Sequence, residues 1–175
     1  YEMGYWTPGP NATSGNDEFF GTDPFGENVD GLGGNDLLQG YVGSDTLEGG
    51  NGADILDGGL GADTLWGGAN ADAYVFSTTL GGGNVDTIIG FSTVDDIFVL
   101  SGAVFTGLSF GALNANNFRI GTEALDADDR IIYDPVTGNI YFDADGNSGG
   151  DEAPILFATV TPGLALTASD FVVGP

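Results

Sequence analysis

An aspartate returns every nine residues between Gly31 and Val75, and this spacing constrains the fold more than any other feature of the chain. Each nine-residue unit is rich in glycine up to its aspartate and then has three residues, of which the middle one is large and apolar. The aspartates of the five units are Asp36, Asp45, Asp54, Asp63 and Asp72. A period of this length indicates a coil of stacked turns.

The three residues after each aspartate have the pattern of a short strand. Their middle positions are Leu38, Leu47, Leu56, Leu65 and Tyr74. One large side chain points one way while its two neighbours point the other way, which is the period of two that a strand requires. Three-residue strands are not stable alone, so we predict that they stack on copies of themselves and bury the leucines between two sheets.

The glycine-rich part of each unit predicts a tight turn, because glycine adopts positive φ angles at little cost. Such a turn can direct carbonyl oxygens towards the aspartate that ends it. Calcium takes six to eight oxygen ligands and accepts flexible geometry. The chain has no histidine and no cysteine, which excludes imidazole ligands, thiolate ligands and His-based catalysis. The sequence therefore favours calcium as the partner of these turns.

The charge of the chain supports a cationic partner. Twenty-six acidic residues face two basic ones, for a formal net charge of −24. Such a chain repels nucleic acid and anionic membranes and attracts multivalent cations. No apolar run approaches the ~18 residues that a membrane-spanning helix needs, so we predict no membrane span.

Two adjacent units, GGNGADILD at 49–57 and GGLGADTLW at 58–66, match the pattern G-G-x-G-x-D-x-U-x at every specified position. This nonapeptide is the calcium-binding signature of RTX proteins, and the chain resembles that family. The resemblance implies an all-β fold, in which a right-handed parallel β-roll of calcium-binding nonapeptides is followed by a β-rich C-terminal cap. It also implies two units per turn, so that each ion lies between loops two units apart.

The resemblance implies a set of paired ligands. The pairs are Asp36 with Asp54, Asp45 with Asp63, Asp54 with Asp72, Asp17 with Asp36 and Glu27 with Asp45. The candidate ligands, by side-chain or main-chain oxygen, are Asp17, Glu27, Gly33, Asp36, Gly43, Asp45, Gly50, Gly52, Asp54, Gly59, Gly61, Asp63 and Asp72. Asp17 belongs to a degenerate unit, and Glu27 stands where an aspartate is expected.

Three units depart from the pattern. Leu32 and Tyr41 replace the second glycine of their units, and Asn70 replaces the glycine at the fourth position of the last unit. We predict three segments for the whole chain: a lead segment at 1–13, the roll at 14–76, and a capping and secretion-associated region at 77–175.

The region after the repeats contains further acidic candidates. Asp86–Phe91 and Asp96–Leu100 resemble the segment that follows the roll in secreted RTX proteins, where these acids act either as extra ligands or as part of a solvated cap. The segment from Asp143 begins like an EF-hand loop, but Ser148 and Pro154 stand where that loop needs glycine and glutamate. The alternative is an isolated calcium loop. The further candidate ligands are Asp86, Asp96, Asp143, Asp145, Asn147 and Asp151.

Two more elements are predicted in the C-terminal half. A hairpin is expected from strands at 130–134 and 139–142, which flank the turn at 135–138. The stretch from Asp170 to Val173 is expected to form a final strand, and it also resembles the C-terminal tails through which RTX proteins leave Gram-negative cells by the type I route.

These observations leave three functional hypotheses. The first is a secreted, non-enzymatic calcium-binding module, extracellular or at the cell surface, whose folding is coupled to calcium. The second is a subunit of a surface layer or filament that self-assembles in calcium, with a second copy or a cell surface as its partner. The third is the non-catalytic C-terminal tail of a larger secreted enzyme or adhesin.

Overall fold

The computed structural model describes residues 5–7, 12–22, 24–146 and 153–175. In these ranges the chain forms sixteen strands and two short 3₁₀ helices, Ala115–Asn117 and Ala168–Asp170. The strands are β1 Tyr5–Thr7, β2 Glu18–Phe20, β3 Asn28–Asp30, β4 Leu37–Gln39, β5 Thr46–Asn51, β6 Ile55–Asp57, β7 Thr64–Ala69, β8 Ala73–Phe76, β9 Asp86–Ile88, β10 Ile97–Ser101, β11 Gly111–Ala112, β12 Phe118–Ile120, β13 Ile131–Asp134, β14 Asn139–Phe142, β15 Ile155–Thr159 and β16 Phe171–Gly174.

Consecutive strands of the repeat alternate between two sheets. In the first sheet β2, β4, β6 and β8 lie side by side and parallel, and in the second sheet β3, β5 and β7 do the same. Leu38 of β4 is in register with Leu56 of β6, eighteen residues later. Two nonapeptide units therefore make one turn. The predicted all-β parallel roll is confirmed.

The apolar position of each unit forms the core of the roll. Leu38, Leu47, Leu56, Leu65 and Tyr74 have no solvent-exposed surface. Phe19 and Val29 continue this row towards the N-terminus and are also buried. Burial of one such side chain stabilises the fold by about 1.5–3 kcal/mol. The row of leucines predicted to lie between two sheets is found there.

Two strands are twice as long as the three residues that the sequence predicted. β5 and β7 each contain six residues, because the ladder between them continues from Glu48 and Trp66 into the following turns, where Gly50 is in register with Gly68. The second half of each of these strands is thus formed by the first three residues of the next unit.

Both sheets continue without interruption into the C-terminal half. The first sheet has the order β1-β2-β4-β6-β8-β10-β16-β11, and the second has the order β3-β5-β7-β9-β15-β14-β13-β12. Strand β10 lies parallel to β8 on one side and to the C-terminal strand β16 on the other. Strand β9 connects β7 to β15 in the same way.

An aromatic cluster fills the space between the sheets beyond the repeats. The ring of Phe98 stacks on Phe91 at a centroid distance of 4.3 Å and on Phe171 at 4.9 Å. The rings of Phe76, Phe105 and Phe157 extend the cluster through edge-on contacts at 5.0–5.1 Å. The C-terminal half therefore has a dense core of large side chains.

The two other elements predicted for this half are present. Strands β13 and β14 form an antiparallel hairpin around the turn at 135–138. The final strand β16 pairs with β10 in parallel and with β11 in antiparallel orientation. No helix in the described part of the chain is long and apolar enough to cross a membrane.

Candidate metal centre

The acids that end the turns form two parallel ladders, one for each side of the roll. Because consecutive units alternate between the sheets, acids eighteen or nineteen residues apart become neighbours. The first ladder contains Asp17, Asp36, Asp54 and Asp72, and the second contains Glu27, Asp45 and Asp63. The aspartates of both ladders are almost fully buried. All five pairs predicted from the sequence are adjacent.

One hydrogen bond repeats along both ladders. The main-chain N–H of each acid donates to Oδ1 of the acid one turn further on. The distance is 2.8 Å from Asp36 to Asp54 and 3.0 Å from Asp54 to Asp72 in the first ladder. It is 2.7 Å from Asp45 to Asp63 in the second ladder. This bond orients each carboxylate that accepts it and occupies one of its two oxygens.

The second oxygen of the same carboxylates has no partner. Oδ2 is buried and accepts no hydrogen bond in Asp36, Asp45, Asp54, Asp63 and Asp72. A buried polar atom without a partner costs about 1–3 kcal/mol, and more when it is charged. Five such atoms in register indicate that the roll is built around a group that the protein atoms alone do not supply.

The first glycine of each unit leaves the space in which this oxygen lies. A methyl group on Gly31 would lie 2.5 Å from Asp36 Oδ2 and 2.6 Å from the carbonyl oxygen of Gly49. Gly40 and Gly49 have the same two kinds of neighbour, the Oδ2 of their own unit and a carbonyl oxygen of the next turn. A carboxylate oxygen and a carbonyl oxygen thus converge, and this pair of donors fits calcium.

Burial changes the acidity of the ladders. Desolvation, the largest cause, raises the pKa of Asp45 and of Asp72 to about 7. Neighbouring carboxylates raise both values further, through Asp63 for Asp45 and through Asp96 for Asp72. Burial also raises the pKa of Asp36, Asp54 and Asp63. Stacked carboxylates of this kind hold either protons or a cation that neutralises them.

The glycine at the fourth position of a unit is required by a close approach between turns. Gly43, Gly52 and Gly61 have φ angles of 140°, 133° and 145°, in the region that favours glycine. A side chain on Gly52 would overlap the carbonyl oxygen of Gly34. Gly34, with φ 120°, occupies the same position in its own unit, and the sequence-based list of candidates omitted it. Gly34 could have been predicted from the sequence, because it is the fourth residue of the unit that starts at Gly31.

The second position also has positive φ angles, but two of its residues are large. Gly50 and Gly59 have φ angles of 104° and 92°. Leu32 and Tyr41 occupy the same position in the first two units, with φ angles of 69° and 68°. For such residues the left-handed region costs roughly 1–2 kcal/mol. Gly33, another predicted candidate, is the third residue of its unit and is bridged to Asn51 of the next turn.

The candidates after the repeats separate into two groups. Asp86 and Asp96 join the ladders, since Asp63 N–H donates to Asp86 Oδ1 at 3.1 Å and Asp72 N–H donates to Asp96 Oδ1 at 3.0 Å. Burial raises the pKa of Asp86 to about 8 and also raises that of Asp96.

The second group follows the hairpin. Asp143 Oδ1 accepts hydrogen bonds from the N–H groups of Asp145 and Gly146 and so forms a tight turn. The predicted ligands Asn147 and Asp151 lie outside the described residues. Within the described ranges, no three acidic side chains converge on one point. The ladders agree with this finding, because each turn of a ladder contributes one carboxylate.

Comparisons with known proteins address the repeat directly. The family model of the RTX calcium-binding nonapeptide repeat, in four copies, matches residues 24–56 and 48–75. Among solved structures, the chain is similar to the solution structure of the AlgE6R3 subunit from the Azotobacter vinelandii mannuronan C5-epimerase. The identity is 27% over 93% of this chain and 81% of that chain, with a TM-score of 0.29. Among curated proteins the comparison finds no match.

Proposed function

We propose that calcium binding in the two ladders is coupled to the folding of the roll. The RTX repeats at residues 24–75 make this chain an RTX calcium-binding protein, which binds several calcium ions. The observation that carries this proposal is the set of buried Oδ2 atoms without hydrogen-bond partners. Without a cation, a folded chain has to bury these oxygens either protonated or charged. With a cation, the same oxygens gain a ligand bond.

The proposed ligands come from both the side chains and the main chain. The acids of the two ladders provide the carboxylates, and the turns that contain Gly33, Gly43, Gly50, Gly52, Gly59 and Gly61 provide carbonyl oxygens. Asp54 lies in the middle of the first ladder and contacts Asp36 on one side and Asp72 on the other. It therefore contributes to two of the gaps between turns. Asp17 is the N-terminal member of the described ladder and contributes to one.

The balance of charge supports the coupling of binding and folding. The chain has a net charge of −24, and adjacent strands place their carboxylates at a spacing of about 4.8 Å. A site with free calcium at one hundred times its Kd stabilises the folded state by about 2.7 kcal/mol. Several such sites together reach the ~5–15 kcal/mol of a whole domain. The calcium-free chain is therefore expected to be largely unfolded.

The direction of folding then follows from the calcium gradient across a cell envelope. RTX repeats are typical of secreted proteins. In a cytosol poor in calcium the acidic chain stays extended, and in a calcium-rich medium it folds. We propose secretion by the type I route of a Gram-negative-type bacterium, with the segment at 14–76 as the calcium-binding unit and the segment at 77–175 as its cap.

The test is far-UV circular dichroism of the whole chain in calcium and in chelator. We expect a β-sheet spectrum in calcium and a largely disordered spectrum in chelator, with recovery when calcium is restored. Magnesium at the same ionic strength is the control. A chain that is equally folded in chelator would contradict the proposal.

Self-assembly is a second candidate function, and the edge of one sheet favours it. In the described part of the chain, β3 pairs with β5 alone, at the N-terminal end of the second sheet. An edge strand of this kind can pair with another copy of the chain. Light scattering in calcium and in chelator distinguishes self-assembly from a module that stays monomeric. A calcium-dependent increase in mass supports assembly, and a constant monomer mass opposes it.

The third hypothesis concerns the protein in which this module occurs. Neither histidine nor cysteine is available as a catalytic base or nucleophile, and the ladder aspartates are assigned to metal binding. We propose that the chain itself is not an enzyme, whether it acts alone or as the tail of a larger secreted enzyme or adhesin. The intact mass of the natural product decides between these two arrangements.

A further inference from the structure

A small polar pocket lies on the outer side of the first sheet, at the ends of β4 and β6. Gln39 and Asp57 end these strands in register with each other, and they alternate with the buried leucines of the core. The cavity has a volume of about 190 Å³, and its other lining residues are Tyr41, Gly59, Ser77 and Thr78. A water molecule needs about 10–15 Å³, and pockets for drug-sized ligands have about 300–1,000 Å³. The pocket therefore fits a small ligand or the end of one side chain.

The main chain separates this pocket from the second carboxylate ladder. A methyl group on Gly40 would overlap Asp45 Oδ2, and one on Gly58 would overlap Asp63 Oδ2. Gly40 and Gly58 therefore face the ladder, whereas the residues on either side of them line the pocket. The pocket is thus distinct from the proposed calcium sites.

Two hydroxyl groups of the pocket donate their hydrogens to other groups of its lining. Ser77 O–H donates to Asp57 Oδ2 at 2.8 Å. Tyr41 O–H donates to Gln39 Oε1 at the longer distance of 3.4 Å. The carboxylate, the amide oxygen and the hydroxyl oxygens keep further lone pairs. The pocket therefore offers several acceptors to a ligand that donates hydrogen bonds.

The segment that follows β8 is held against the repeat on one side of the pocket. Thr78 O–H donates to the carbonyl oxygen of Gly59 at 2.6 Å. Thr78 Oγ1 in turn accepts a hydrogen bond from Asn84 Nδ2 at 3.1 Å. These bonds keep Ser77 beside Asp57, so the acceptors are already in place before a ligand binds.

Asp57 gives the pocket a negative charge that the basic side chains of the protein do not neutralise. The chain has two such residues, Arg119 and Arg130, and both lie in the described part of the chain. Arg119 forms an ion pair with Asp129 at 3.7 Å, and Arg130 donates to the carbonyl oxygen of Ala144. The net charge of −24 attracts further cations to the surface. The pocket therefore favours a positively charged donor.

Tyr41 gives the pocket an aromatic wall, in a backbone conformation that favours glycine. Its φ angle is 68°, and the residue at the same position two units later is Gly59, with a φ angle of 92°. Tyr41 is 52% exposed, so its ring is open to a ligand. The face of such a ring attracts a cation. Backbone strain of this kind is concentrated at functional sites.

We propose that this pocket binds a primary ammonium group, which either a lysine side chain of another protein or an amino sugar can supply. An ammonium group has three donors and no acceptor. The pocket has three matching acceptors in the carboxylate of Asp57, Oε1 of Gln39 and the hydroxyl oxygen of Ser77. The ring of Tyr41 packs against the carbon atoms next to the charge. The proposal does not depend on the function proposed for the ladders, because the pocket lies outside them.

The test is an NMR titration of the full chain in calcium, with Nα-acetyl-lysine methylamide and, separately, with glucosamine. We expect saturable shifts of the backbone amide signals of Tyr41 and Ser77 with at least one of these amines, and the amine that binds more tightly identifies the source. The Nε-acetylated lysine derivative lacks the charge and should cause no shift. Absence of saturable shifts with both amines would overturn the proposal.

Variants then separate the pocket from general attraction to an acidic surface. Asp57→Asn is expected to weaken binding by about tenfold or more, because a hydrogen bond between two charged groups is lost. The matched control is Glu48→Gln, which removes the same charge from the ninth position of the preceding unit and should leave the affinity unchanged. Equal losses in the two variants would overturn the proposal.

Tyr41→Gly supplies a readout that a purely structural role would not give. Glycine relieves the strain at φ 68°, so this variant should unfold at a higher temperature and yet bind the amine more weakly. Unchanged affinity in Tyr41→Gly would remove the tyrosine from the site. Unchanged affinity in both Tyr41→Gly and Asp57→Asn would overturn the proposal.

Discussion

The repeat and the C-terminal half share both sheets, yet they bury different material between them. The roll buries one large side chain per nine residues, and it surrounds this row with two ladders of buried carboxylates. The C-terminal half buries a cluster of aromatic rings, with Phe98 at its centre. If calcium binding and folding are coupled as proposed, the core with few side chains depends on a cation, whereas the dense aromatic core is stabilised by the hydrophobic effect and needs none.

The largest expected effect is that of Asp54→Asn in the repeat. Asp54 contributes to two gaps, and with calcium at one hundred times Kd the loss of each site removes about 2.7 kcal/mol. We expect the free energy of unfolding to fall by roughly 5 kcal/mol. Asp17→Asn, at the end of the ladder, is expected to cost about half as much. Denaturant unfolding at fixed calcium measures both. Equal, small losses would contradict the stacking of ions along the ladder.

Phe98→Ala tests the other side of the comparison. Removing this buried ring is expected to lower the free energy of unfolding by about 3–5 kcal/mol. The loss should be the same at all saturating calcium concentrations, and the number of bound ions should not change. Val94→Ala, at an 87% exposed position, is the control and should have little effect. A loss of ions in Phe98→Ala would show that the two regions do not differ in the way described.

Protonation of the ladder carboxylates should stabilise the roll without calcium and should weaken its binding of calcium. The pKa of Asp45 and of Asp72 is about 7 in the fold, and that of Asp86 is about 8, against an ordinary value of 3.8. In the metal-free fold the protons that these groups bind stabilise the structure fully below pH 3.8. This stabilisation is lost as the pH rises through 7 and 8.

In calcium the same protons compete with the ion. The calcium concentration at the midpoint of folding should therefore be higher near pH 5 than near pH 8. Calcium titrations followed by circular dichroism at both pH values, repeated at higher salt to separate general repulsion, measure this shift. A midpoint independent of pH would contradict the burial of ionised carboxylates at the sites.

The smallest expected effect comes from Tyr41→Gly. Tyr41 has a φ angle of 68° at the second position of its unit, and glycine relieves this strain, so stability should rise by about 1 kcal/mol. Gly50→Ala, at the same position of a regular unit, should do the opposite, because its φ angle is 104° and its side chain would meet the carbonyl oxygen of Leu32. Thermal unfolding in calcium measures both. A loss of stability in Tyr41→Gly would give the tyrosine a role that the turn does not explain.

The sequence predicts the part of the fold that depends on local repetition. The buried apolar row between two sheets follows from the nine-residue period. The two units per turn, and with them the register of Leu38 with Leu56, are implied by the resemblance to the RTX repeat, and the structure has this register. The hairpin around the turn at 135–138 is also predicted, because its signals are local.

Other features depend on contacts between distant segments. The insertion of the C-terminal strand between β10 and β11 depends on pairing across about seventy residues, which no local pattern specifies. The places of Asp86 and Asp96 depend on turns of irregular length that nevertheless return the chain to the same register. The reason for the first glycine of each unit, the space that Oδ2 occupies, becomes visible only in the fold, whereas Gly34 is recognisable from its position in the repeat.

The eighteen-residue register also limits how a chain of this kind can change its length. Removing one nonapeptide would transfer every later strand to the opposite sheet and every later aspartate to the opposite ladder, including Asp86 and Asp96. Removing two would leave each strand in its own sheet and shorten the roll by one turn. Changes in steps of two units are therefore the ones that leave the C-terminal half attached as it is. The unit by which the roll can be lengthened or shortened is therefore the pair of nonapeptides.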